Sequence, residues 1–214
     1  MDMWSVRNQA LADLASNLPQ ESEVIEEAFG LLDKCIEHLF SSATGEYEKF
    51  AIVCCHTLIK AHRFALGCYS LCLDGLAQEA GALLRPLIET WQQLIFYRQK
   101  PERIELALAN RLPQAGDIAR EINEELHNEL RGLRTYLNTT ASHFSFQEES
   151  LAPMSMAYHG ESLKNNLRSL FSVTWPIANE SAKCLSIIGQ LDNALIDAIE
   201  ACRETGLRIF DTGE

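Results

Sequence analysis

The stretch GALLRPLIETW, residues 81–91, sets an arginine, a proline and a glutamate within five residues of an otherwise small and apolar run. Arg85 and Glu89 are four apart, so on a helix they share a face and can pair. On a solvated face such a pair contributes roughly 0.3–0.5 kcal/mol and carries no function. Lining a cleft, where paired ions stabilise poorly against apolar residues of equal volume, the same pair points to recognition or catalysis. Upstream, His56, Lys60, Arg63, Gly67, Ser70 and Asp74 follow helical spacing along one side of another segment. If those two helices are neighbours, Lys60, Arg63 and Arg85 form a cationic pocket around Glu89, suited to a small anionic ligand or a partner segment.

Long helices are needed to place these side chains, and apolar periodicity predicts them through most of the chain. The pattern predicts helices over Trp4–Ser16 and Val24–Phe40, separated by Pro19 and its polar neighbours. A longer helix over Tyr47–Leu73 carries a stripe of Ile52, Cys55, Ile59, His62, Leu66, Tyr69 and Leu73, with Gly75 as its left-handed cap. In the next, Leu76–Arg98, the apolar residues Leu83 to Ile95 keep one helical phase across Pro86. Pro86 therefore reads as a kink within a core helix rather than its boundary; the other reading puts it in the first turn of a new helix, where proline is tolerated.

A short helix over Glu102–Asn110 and a strongly periodic one over Ala115–Leu137 follow. Residues 144–158 lack a helical stripe, and the alternation at Phe144–Phe146 and Met154–Met156 predicts a short irregular or β-hairpin insertion. Helix resumes over Glu161–Val173, is broken or kinked at Trp175–Pro176, and runs on to Arg203. The expectation is an all-α fold, one domain over 1–214, built as a bundle of long helices with short connections.

Composition narrows the class. The 214 residues are 47% hydrophobic with a net charge of −12, which suits a folded globular chain and disfavours nonspecific phosphate binding. Apolar runs are interrupted by Lys60 and Asp74 well short of a membrane span, and the first residues lack a basic segment followed by an apolar one. Seven cysteines without paired metal spacing read as buried free thiols, and hence as a cytoplasmic protein. EELH supplies a single Glu-x-x-His where a di-iron bundle needs two, and His56 and His62 are six apart, so no metal or cofactor is expected.

AGALLRPLIETWQQLIFY, followed about forty residues later by TYLNTTASHF, resembles a bacterial family of helical proteins of unknown function. The likeness covers roughly Tyr47 to His159 and rests on an Arg-x-x-x-Glu helix with a downstream segment ending in histidine. It implies a helical fold in which Arg85, Glu89 and His143 converge on one site. Asn138 stands where that family commonly has serine, so no hydroxyl role is carried over.

REINEELH offers a second constellation, because Arg120 and His127 have the Arg–His spacing of HEPN-type helical ribonucleases. Those enzymes usually follow the arginine with a polar Asn, His or Asp, whereas Glu121 stands here. Arg120 and His127 also fall opposite the Ile118–Leu137 stripe, as an exposed charged face would. Three functions are therefore expected in order. The first is an oligomeric bundle binding a small anion or partner segment through Arg85, Glu89, His143, Arg63 and Lys60. The second is a HEPN-like, toxin-related ribonuclease, the one reading that requires RNA. The third is a non-catalytic interaction module.

Overall fold

Three left-handed residues stop three helices in the same way. At Gly75, Asn110 and Gly189 the backbone φ is +74°, +53° and +69°. Each time the amide of that residue bonds back three residues and the next amide bonds back five, as in Gly189 to Ser186 and Gln190 to Leu185. This is the Schellman closure, which gives the last carbonyls of a helix their donors. The computed structural model describes residues 3–122 and 160–210. They form α1 (Met3–Ser16), α2 (Pro19–Ser41), α3 (Glu48–Leu73), α4 (Ala77–Gln99), α5 (Ile104–Leu108), α6 (Ala115–Ile122), α7 (Gly160–Ile187) and α8 (Asn193–Phe210). The all-α bundle is thus observed, without a strand among the described residues. The hairpin expected at 144–158 lies outside them.

α3 and α4 form an antiparallel hairpin across Asp74–Leu76, with Gly67 against Leu83 and Lys60 beside Gln93. α7 packs against α2, α3 and α4, and α8 covers α2 and α7. α6 lies on α4, and α1 rests on α2 and α3. One clamp fixes α1. The Arg7 guanidinium donates to both Asp74 carboxylate oxygens, at 2.6 and 2.9 Å, and to the Ser70 hydroxyl at 2.7 Å. Where α8 crosses α7, Gly206 lies directly under the Phe171 ring, and that ring tilts against Phe210 at 5.6 Å.

Three elements differ from expectation. α2 begins at Pro19, not near Val24, because proline at the first helical position loses only an amide that had no partner in any case. The fully buried line of α3 is Ala51, Cys54, Leu58, Ala61, Ala65, Cys68 and Cys72; of the expected stripe Cys55 and Leu73 are buried, Ile52, Ile59, His62 and Tyr69 are half-buried, and Leu66 is 45% exposed. Small side chains there let neighbouring helices come close, so the core follows size instead of bulk hydrophobicity. α7 runs unbroken through Trp175–Pro176, and the real boundary is the Gly189 turn. Pro176 is buried, and packing outweighs the single hydrogen bond it removes.

All seven cysteines are buried and none is in a disulfide. Four donate weakly across helix pairs, Cys35 to Ala178, Cys55 to Ile36, Cys184 to Leu94 and Cys202 to Val24 carbonyls, at 3.7–4.0 Å. Burial pushes the Cys35 and Cys202 thiols up to about 12. The neighbouring Cys54 thiol and burial together raise Cys184 well above the usual thiol range. At pH 8 the Cys35 and Cys202 thiolate fraction is then roughly one in ten thousand, and thiolate is the reactive form. Native protein is expected to react negligibly with a thiol-disulfide reagent over an hour, and to release all seven equivalents in guanidinium. Rapid native reaction of two or more thiols would contradict this core.

Candidate functional site

Arg85, Glu89, Gln92, Phe96 and Gln99 repeat at four- and three-residue steps and so make one stripe along α4. Pro86 sits inside that helix, as expected, and the Thr90 hydroxyl donates to its carbonyl at 2.7 Å. The C-terminal part of the stripe is sealed by α6. Gln99 donates to the Ile122 carbonyl, and Arg103 stacks over Phe96 at 4.0 Å while bonding the Phe96 carbonyl and Glu121. Arg85 and Glu89 pair at 3.2 Å with side chains 44% and 27% exposed. At that exposure the pair contributes only a few tenths of a kcal/mol.

Gln92, one turn further, is buried, and neither atom of its amide has a partner among the described residues. An unpaired buried amide costs about 1–3 kcal/mol. Gln92→Met is therefore expected to be neutral or to raise the urea midpoint, by about 1 kcal/mol in stability. A clear loss would show that the amide serves another group.

Of the other expected residues, Lys60 lines a groove of about 430 Å³ between α3 and α4, with His56, Thr57, Gln93 and Tyr97. Arg85 and Glu89 are not among its described lining residues; the α4 residues that are, Gln93 and Tyr97, lie one to three turns further along the helix. Arg63 is exposed one turn from Lys60. The structure thus does not bring Lys60 and Arg85 into one described pocket. Arg120 is exposed on α6 and pairs with Asp117, three residues before it. His127 and His143 lie outside the described residues.

A different cluster is better built. Glu180, on α7, is buried, its side chain only 4% exposed. The Arg98 Nε of α4 donates to its Oε1, and the Lys183 ammonium stands 3.3 Å from its Oε2. Two cations therefore share one buried carboxylate and leave one net positive charge. Both cations line a groove of about 480 Å³ between the ends of α4 and α7 and the start of α8. Asn179 and Ser186 add polar edges on the α7 side. Ile187, Leu191, Ile196 and Ile199 supply an aliphatic wall with no aromatic and no acidic residue among the described lining.

Local sequence rules place each part. The residues from α7 recur at helical spacing, and the Gly189 closure folds α8 back so that its isoleucines face them. Asp192 accepts from the Ala194 amide at 3.0 Å, which starts α8 at that point. Sequence reasoning missed this cluster. Its one legible signal was an acid, Glu180, set in apolar phase between Ile177 and Cys184.

Comparison with protein-family models, characterised proteins and solved structures finds no match to the chain.

Proposed function

We propose that the protein binds a small organic anion in the groove between α4, α7 and α8. One observation carries this reading. A buried carboxylate fixes two cations at the edge of a ligand-sized groove, in a chain whose net charge is −12. A groove of about 480 Å³ lies within the ordinary range for small-molecule sites, which join apolar walls to a few convergent polar groups. Glu180 holds the cations in place. In an acidic chain that local excess of positive charge selects anions, and low ionic strength strengthens it.

This moves the anion site from Arg85, Glu89 and His143 to Arg98 and Lys183. The first pair faces solvent in part and lines neither of the two grooves described above. Arg120, paired to Asp117, gives the ribonuclease reading no support.

The test is calorimetric titration of the full chain with sodium octanoate, benzoate and inorganic phosphate, beside Lys183→Ala. Lys183 is about half exposed, so the variant is expected to fold. At least one anion should bind, and the variant should weaken it about tenfold, or 1.4 kcal/mol. Absence of binding by all three at millimolar concentration, or equal binding by the variant, would overturn the reading.

A further inference from the structure

Arg98 spends only its Nε on Glu180. Its Nη1 and Nη2 make no hydrogen bond to a described residue, although the residue lines the groove. Two terminal nitrogens on a fixed guanidinium match the two oxygens of a carboxylate, with Lys183 adding a charge beside them. We infer that the ligand is a monocarboxylate with an aliphatic chain, its head on Arg98 and Lys183 and its chain along Ile187, Ile196 and Ile199. This rests on the anion-binding reading above and narrows it to one chemical class.

Three features select that class. Two cations against one carboxylate leave a single positive charge, which balances one negative charge and not the two or three of a phosphate ester or citrate. The wall formed by Ile187, Leu191, Ile196 and Ile199 carries only alkyl side chains, and Asn179 and Ser186 offer polar partners only at the α7 edge, so a ligand with polar groups along the rest of its body would bury them without partners. No aromatic side chain is among the described lining residues, which removes the stacking surface that nucleobases and aryl acids use. An alkyl chain is what remains. The groove is built from residues that would otherwise be poorly placed: Leu191 and Ile196 are only partly buried, and a chain laid against them removes that surface from water.

The experiment is a titration series on the full chain with acetate, butanoate, hexanoate and octanoate, then octanol, octylammonium, inorganic phosphate and citrate. Each added methylene should strengthen binding by up to about fourfold until the groove is filled. Octanol and octylammonium should bind at least tenfold more weakly than octanoate, and Lys183→Ala should weaken octanoate while leaving octanol unchanged. Ile196→Ser should flatten the dependence on chain length without abolishing acetate or butanoate binding, a readout that a merely destabilised fold would not give. Phosphate or citrate binding with no response to octanoate would overturn the monocarboxylate and leave the anion site standing. Equal binding of octanol and octanoate would overturn both, and so would silence from the whole series.

Discussion

Replacing Arg98 with methionine is expected to destabilise the bundle by about 3 kcal/mol, the lower end of the range for breaking a buried ion pair from one side. The loss comes from Glu180. Its side chain is 4% exposed, and once Arg98 is gone only Lys183, 3.3 Å away and itself half in solvent, opposes its charge. Arg98 is 31% exposed, which sets the figure at the low end of the range. The double variant Arg98→Met, Glu180→Leu is expected to recover most of the loss, because an apolar pair of similar volume replaces an ion pair at little cost. Urea unfolding of wild type, both single variants and the double variant measures the coupling directly. Full stability in Arg98→Met alone would mean that Glu180 does not depend on Arg98, and the groove would lose the group that orients it. The double variant also separates roles: it should fold and yet fail to bind octanoate.

Gly206→Ala is the second large effect. A Cβ at Gly206 would land within the Phe171 ring, which is buried and backed by Phe210. Alanine gains about 1 kcal/mol over glycine in helix propensity, so an exposed site would show a rise in stability. Here overpacking opposes that gain at about 3 kcal/mol, the upper end of the usual range, because the ring has little room to give way. We expect a net loss of about 2 kcal/mol, read as a fall in Tm of about 4–8 °C for a domain of this size. Phe171→Leu in the same chain should relieve part of it. An unchanged or raised Tm would mean that α7 and α8 can separate there at no cost.

The sequence was most readable where bulky apolar residues carried the helical phase. α4 was placed across Pro86 because Leu83, Leu84, Leu87 and Ile88 stay in register through it, and α2's core face of Val24, Ala28, Leu31, Leu32, Cys35 and Leu39 is the buried one. Gly75 was legible as a cap because only glycine is at ease at positive φ. Reading failed where function of position depends on a neighbour. The α3 face was read only in part, with Cys55 and Leu73 buried as expected, because alanine and cysteine mark close helix contact only once the partner helix is known. Pro176 looked like a break for the same reason, since the packing that keeps α7 continuous is tertiary. Arg85 and Glu89 stood out as charges among apolar residues, yet they are only partly buried. Glu180, which is deeply buried, looked unremarkable because its partner Arg98 is 82 positions away.

The three-residue turn at Asp74–Leu76 has a kinetic consequence. It joins helices of 26 and 23 residues whose contacts start beside the turn and extend outward. Closing so short a loop costs little chain entropy, so the hairpin can zip from Gly75 before distant segments arrive. α8 must instead find α2 across a long stretch of chain, 178 residues in the contact of Cys202 with Val24. Changes at the turn should therefore act on the rate of folding, and changes beneath α8, including those at Gly206, on the rate of unfolding.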